Sequence, residues 1–299
     1  MTTLEEIRKY FAFKNRGAQR LATLNEPFTA WYVCLDDGYG VAIPYTSEED
    51  LSEYFSSVKL KTCTLTIDGS DIDVLFLSCF SDELKYEFAA FCAEFVDPGD
   101  KGTTRYEIIK DPVKWWKRWR ELLGNTVTEH QSYSVIGELM TWEQLIKDGA
   151  MPEWKGPEAS SHDIECNDFS VEVKSTLKKS DSIITISSQH QLYSEKKLFL
   201  YFCRFEKSKE GVSINDMVER LQKLGCDQYE MEKKLEHLGL EKGRSIRKEK
   251  YKILEKRKYI VDENFPKIIK SSFKDGQFPA GVVKLQYGVD LEILEYTAW

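Results

Sequence analysis

The sequence predicts an α/β protein, in which a core of alternating helices and strands follows a small α+β domain and precedes a helical and hairpin extension. Two patterns and their order predict it. Apolar and polar residues alternate in short runs bounded by turn residues, the period-two pattern of half-buried strands. Other stretches repeat apolar residues every three or four positions, the period of an amphipathic helix. Strands and then a helix fill the first third. After it come helix, strand, strand, strand, helix and strand, the order of a layered α/β core. The 299 residues divide accordingly into 1–110, 111–212 and 213–299.

The elements are expected in this order. A helix runs from Leu4 to about Arg16. Strands follow at Thr29–Leu35, Gly40–Pro44, Thr62–Ile67 and Asp73–Cys79, with turns at Asp36-Asp37-Gly38 and Asp68-Gly69. Ser81–Phe95 reads as a helix with Leu84, Phe88 and Phe91 on one stripe, and residues 97–102 as a loop. The next helix, about Pro112–Leu123, has its proline suitably placed in the first turn. Trp115 and Trp119 share a stripe on it, ringed by Lys114, Lys117, Arg118 and Arg120. That face predicts docking of an aromatic surface between two domains. In the core, a helix at Ser134–Lys147 and a loop at Pro152–Ser161 precede strands at Asp163–Cys166, Ser170–Ser175 and Ile183–Ser187. A helix is expected to start near Ser188, and Leu198–Phe205 reads as a buried strand. Helices at Ile214–Leu224 and Gln228–Leu238 come next. The basic stretch after them alternates around Tyr251, Ile253, Tyr259 and Val261, and reads as a hairpin, weakly suggesting a winged helix. Val282–Leu285 and Val289–Leu294 close the fold.

Composition narrows the function. The apolar content suffices for a packed core, which excludes a disordered chain. No apolar run approaches the ~20 residues of a bilayer span, and Glu5 and Glu6 precede any apolar run, so neither a membrane nor a secretory signal is expected. Seven cysteines, odd in number and without a close pair, predict free thiols in a reducing cytoplasm rather than disulfides or a zinc knuckle. The net charge of −8 argues against a polyanionic partner until it is divided by region. Residues 1–100 hold 18 acidic and 8 basic residues, a net of −10, and residues 101–299 hold 32 and 34, a net of +2. Two stretches are locally basic: 101–120, with Lys114, Lys117 and Arg118, and 242–258, with Lys242, Arg244, Arg247, Lys248 and Lys250. A polyanion responds to such local potential, and these eight are the candidate DNA contacts.

The segment with chemistry is His162-Asp163-Ile164-Glu165-Cys166-Asn167-Asp168-Phe169-Ser170-Val171-Glu172-Val173-Lys174. Val171 and Val173 alternate with Glu172 and Lys174, so the two charged side chains leave one face of a strand. Asp163 lies on the preceding strand, across a turn at Asn167-Asp168. Pairing of the two strands brings both carboxylates to Lys174. Two carboxylates suit Mg²⁺, a hard ion with oxygen ligands. Phosphodiester hydrolysis needs a metal to activate water and a cation beside the nucleophile. The pattern E-x-K occurs five times in the chain, but only at Glu172 does it lie in an alternating strand beside an Asp-bearing one. Glu138 adds to the set: it interrupts the apolar helical stripe of Val135, Trp142 and Leu145, a position where a carboxylate needs a partner or a metal. Gln189 and Gln191 lie near an expected helix start, where an amide can bind water or phosphate.

Asp163 with Glu172-Val173-Lys174 resembles the PD-(D/E)XK nuclease motif, and the helix at Gly137-Glu138-Leu139 resembles its helical glutamate. More narrowly, the chain is similar to bacterial PD-(D/E)XK motif proteins found beside restriction and phage-defence genes. The landmarks are Trp116 and Trp119, Gly137-Glu138-Leu139, Trp154-Lys155-Gly156-Pro157, His162-Asp163, Glu172-Val173-Lys174-Ser175-Thr176 and Ile186-Ser187-Ser188 with Gln191-Leu192. Phe265-Pro266-Lys267 and Tyr287-Gly288-Val289-Asp290-Leu291 continue them downstream. The resemblance implies a restriction-endonuclease-like mixed-sheet core flanked by helices. It makes Asp163, Glu172 and Glu138 ligands of Mg²⁺, for which Mn²⁺ substitutes, Lys174 the group that positions water and stabilises the transition state, and Gln191 a further catalytic residue. The proline that usually precedes the Asp is replaced by His162. The implied activity is Mg²⁺-dependent cleavage of double-stranded DNA by a homodimer, in a restriction or phage-defence system that also holds a methyltransferase, helicase or ATPase. The alternative is a catalytically silent DNA-binding or assembly subunit.

Overall fold

The alternating runs of the first third form one antiparallel sheet in the computed structural model, which describes residues 1–36, 38–47, 49–55, 57–81, 84–122, 132–158, 160–187, 191–273, 276, 282 and 285–299, without the side chains of 120–122. The chain divides into two units, Met1–Thr128 with Glu241–Ser245, and Glu129–Leu240 with Ile246–Trp299.

In the first unit the strands are β1 (Gly17–Arg20), β2 (Trp31–Leu35), β3 (Gly38–Pro44), β4 (Ser52–Phe55), β5 (Val58–Ile67) and β6 (Ser70–Cys79), ordered β1-β2-β3-β6-β5-β4. Their period of two sorts the side chains. Tyr32, Tyr39, Val41, Ile43, Leu75 and Leu77 face a core shared with α1 (Thr3–Phe13), α2 (Lys85–Val96), α3 (Thr103–Lys110) and α4 (Pro112–Leu122). Trp31, Val33, Ala42, Val74 and Phe76 form a smaller cluster on the other face. Buried Glu6 of α1 accepts the N–H groups of Ala22 and Thr23 at 2.7 and 3.0 Å, which ties the helix to the loop after β1. The tryptophans of α4 are committed to this core: Trp115 and Trp119 lie 5.2 and 4.7 Å from the Phe91 ring. Their aromatic face is therefore spent within the first unit, while Lys114, Lys117 and Arg118 stay exposed.

In the second unit β7 (Glu153–Trp154), β8 (Ile164–Glu165), β9 (Phe169–Thr176), β11 (Lys197–Val212), β12 (Tyr251–Ile260) and β14 (Thr297–Ala298) form a mixed sheet ordered β14-β12-β11-β9-β8-β7. Among the described strands only β9 and β11 run parallel; the crossover between them contains β10 (Ile183–Ile186), which pairs with β13 (Tyr287–Asp290) in a separate ribbon. β11 shows how the layers arise. Tyr201, Cys203 and Phe205 pack under α5 (Ser132–Lys147), α6 (Ile214–Lys223) and α7 (Gln228–His237). Leu198, Leu200 and Phe202 face the ribbon. Ser213 and Asp216 form a capping box that ends β11 and starts α6, and Asp227 caps α7. This mixed α/β sheet flanked by helices is the predicted fold class.

Several expectations change. The basic stretch is no hairpin and no winged helix: β12 is one strand, paired with β11 from Phe199 to Lys207. The 16 residues of β11 supply a template long enough to hold it extended. α3 and the short edge strands β1 and β4 were not expected. Residues 213–299 complete the core sheet through β12 and β14 rather than standing apart from it. The helix expected to start near Ser188 does not form: residues 188–190 lie outside the described ones, and 191–196 are turn, bend and irregular chain that leads directly into β11. Of the strand expected at 282–285, residues 283 and 284 lie outside the described ones. All seven cysteines are free thiols. Among the described residues no helix is long and apolar enough to cross a membrane.

Candidate active site

The site is built on the β8–β9 pair. Ile164 faces Val171 and Glu165 faces Ser170, so continuing that register sets Asp163 opposite Glu172. Asp163 is fixed from both ends. Its Oδ2 accepts the Val173 N–H at 2.7 Å, and its backbone carbonyl accepts the N–H groups of Lys155 and Gly156 at 2.7 and 3.0 Å. Glu172 is buried, and its Oε1 lies 2.8 Å from Lys174 Nζ. The Lys174 side chain keeps 19% of its surface open, so the site is reached from its end of the strand.

Glu138 approaches from α5. Two glycines allow the approach. A Cβ on Gly137 would lie 2.2 Å from Ser175 Oγ, so the helix sits on β9 at a distance no side chain permits. A Cβ on Gly156 would lie 2.4 Å from Glu138 Oε2. The indole Nε1 of Trp154 donates to that same oxygen at 2.7 Å, and Trp154 stacks on Trp142, with centroids 6.0 Å apart. The apolar stripe interrupted by Glu138 is thus a face in which one carboxylate has its own donor.

The electrostatics join the four groups. Burial, and then the Asp163 charge, hold the Glu138 carboxyl well above the usual carboxylate range. The same two causes, in the same order, push Glu172 up to about 8. Burial also raises Asp163. For Lys174 burial works downward, but Glu172, Asp163 and Glu138 outweigh it and keep the ammonium protonated. Fully ionised, three carboxylates against one ammonium would carry an excess of negative charge, and the raised proton affinities of Glu138, Glu172 and Asp163 are how the metal-free site avoids it. An all-oxygen set of this kind fits a hard divalent cation. It is not a finished cage: among the described residues no three His, Cys, Asp or Glu side chains are arranged to hold a metal ion. Trp154, the Val173 N–H and Lys174 engage the three carboxylates instead.

The other expected residues separate. Gln191 accepts the Ser187 N–H at 2.8 Å through its side-chain oxygen, and no hydrogen bond among the described residues joins it to the carboxylates. Gln189 lies outside the described residues. His162 is buried, with Nδ1 3.2 Å from Glu165 and, among the described residues, no partner for Nε2. Two basic candidates do not reach solvent. Arg244, within the first unit, is buried against the Tyr54 ring at 4.1 Å and donates to the Tyr54 carbonyl. Arg247 is buried among Glu232, Asn215 and the Leu240 carbonyl. Neither guanidinium is available to a phosphate, a correction to the reading of 242–258 as one basic face. Lys242, Lys248 and Lys250 of that stretch are exposed.

Sequence reasoning missed the role of Trp154 and Gly156, although both stand among the landmarks. Gly156→Ala is expected to drive the Glu138 carboxylate off the Trp154 indole. A buried acceptor losing its donor costs about 1–3 kcal/mol, to be read as a lower thermal midpoint. An unchanged midpoint would show that Glu138 is not packed against residue 156.

A family model described as "Putative PD-(D/E)XK family member" (DUF4420) matches residues 15–292. No curated protein and no solved structure matches the chain. Members of the PD-(D/E)XK superfamily are generally nucleases that use divalent metals. The match covers both units, and the strand pair carrying Asp163, Glu172 and Lys174 lies within it, so the chain belongs to this DUF4420 family of the PD-(D/E)XK superfamily.

Proposed function

We propose that the protein is a Mg²⁺-dependent DNA endonuclease, active also with Mn²⁺, that works in the cytoplasm within a bacterial restriction or phage-defence system. One observation carries the reading: Asp163, Glu172 and Lys174 share one buried place on the β8–β9 pair, with Glu138 over it from α5. Asp163 and Glu172 are the residues to hold the cation, with Glu138 beside them. A cation bound there would supply positive charge to the phosphate and lower the pKa of an attacking water. Lys174, held protonated by its carboxylate neighbours, sets a second positive charge where the phosphate gains negative charge. The strand register keeps Asp163 opposite Glu172, and the Trp154 indole keeps Glu138 from swinging away.

The partner in this reading is double-stranded DNA. Exposed Lys114, Lys117 and Arg118 on α4, and exposed Lys242, Lys248 and Lys250, are the groups suited to phosphate. A homodimer would place one site on each strand, and methyltransferase, helicase or ATPase subunits fit as companions. The test is supercoiled plasmid or phage DNA incubated with Mg²⁺ or Mn²⁺. Nicked and linear products that disappear with chelator, and decline steeply with salt, are expected. Intact DNA under all of these conditions would contradict an endonuclease that acts alone. The engagement of all three carboxylates by protein donors favours a second reading, a DNA-binding or assembly subunit without catalysis. DNA binding without cleavage or metal uptake would select it.

A further inference from the structure

The geometry points to Lys234 of α7 as a positioning residue for Glu138, an inference that rests on the nuclease reading above only for its functional consequence. Lys234 lies 80 residues from Trp154 in sequence, yet its Nζ donates to the Trp154 carbonyl and lies 2.7 Å from Glu158 Oε1. Its side chain is 18% exposed, so solvent competes weakly for the ammonium. Lys155 lies 3.0 Å from the other oxygen of Glu158, Oε2. These bonds grip the segment from Trp154 to Glu158 at both ends.

That segment makes both contacts that orient Glu138. The Trp154 indole N–H donates to Oε2, and the missing side chain of Gly156 leaves the space that the same carboxylate occupies, since a Cβ there would lie 2.4 Å from Oε2. α7 is anchored in turn, because Arg247 reaches Glu232 of α7, with Nη2 2.9 Å from Oε1, and Asn215 of α6, with Nε 2.9 Å from Oδ1. The path runs Arg247, α7, Lys234, the Trp154–Glu158 segment, Glu138. The C-terminal helices therefore do more than cover apolar surface: they set the angle of the carboxylate supplied by α5. Outer residues that orient a ligand alter metal affinity or activity by about 10–100-fold.

Lys234→Met keeps an unbranched side chain one atom shorter and removes the ammonium. In the metal-free protein, the Trp154 indole N–H is followed by nitrogen-resolved NMR in the wild type, Lys234→Met, Glu138→Gln and the double variant. Lys234→Met is expected to shift that resonance and speed its solvent exchange by at least about fivefold, as a donor released from a buried acceptor does. Lys234→Arg should restore the wild-type signal. A Mn²⁺ titration of the same proteins should show the midpoint weakened about tenfold in Lys234→Met, with no further loss when it is added to Glu138→Gln. An indole resonance indistinguishable from wild type in Lys234→Met would overturn the inference. So would an equal further loss of Mn²⁺ affinity in the Glu138→Gln background, which is what a merely structural role gives. A wild type that takes up no Mn²⁺ would count against the nuclease reading instead, and the indole signal would still decide the role of Lys234.

Discussion

Glu172→Gln is expected to lower DNA cleavage at least about a hundredfold to a thousandfold, the range for losing one group that stabilises a transition state, while the folded protein survives. The amide keeps the shape of the side chain and an oxygen for Lys174, so packing on β9 changes little. What it removes is a carboxylate that the divalent cation would need ionised and that the metal-free protein does not. Burial, and then the neighbouring Asp163 charge, push Glu172 up to about 8. In chelator the variant should therefore melt no lower than the wild type. Lys174→Met should lose activity to a similar degree, but by a different route, since it leaves the three carboxylates without their ammonium. If Glu172→Gln cleaves as well as the wild type, the site lies elsewhere. If it loses activity only because it has unfolded, the melting curve in chelator will show that.

The second large effect falls on stability. Arg247→Ala is expected to cost about 3–5 kcal/mol, the usual range for breaking a buried ion pair from one side. It leaves Glu232 without its cation and frees the Asn215 oxygen and the Leu240 carbonyl together. At about 2–4 °C per kcal/mol for units of this size, the melting midpoint should drop by about 10 °C. The next residue, exposed Lys248, supplies the control. Lys248→Ala should stay within about 0.5 kcal/mol of wild-type stability and weaken DNA binding in a salt-dependent way. Equal effects at positions 247 and 248 would refute this division of the basic stretch.

That division could not be read from the sequence. Counting bases in 242–258 treats Arg244, Arg247 and the lysines alike, yet Arg244 and Arg247 have acidic or carbonyl partners brought in by the fold. The same limit explains β12. Its local alternation was visible, but only the length of β11, far upstream in the chain, decides that it runs as one strand. α3 escaped notice because it buries little beyond Arg105 and Ile108, too few for a helical stripe. Trp154 was visible as a landmark without a role, and its bond to Lys234 spans 80 positions that no local pattern connects. The candidate site was far more legible. Asp163, Glu172 and Lys174 follow from the period of two on adjacent strands, and Glu138 from a carboxylate in an apolar helical stripe. A polar residue that violates the local pattern is informative because the fold must compensate for it, and here the compensation is the Trp154 indole.

Calorimetric titration of Mn²⁺ into the wild type and into the Glu172→Gln protein tests the central claim most directly. Saturable binding to the wild type, and none to an equally folded variant, is the predicted result. No binding to the wild type, or the same binding to both, would contradict a metal-dependent centre at Asp163, Glu172 and Lys174.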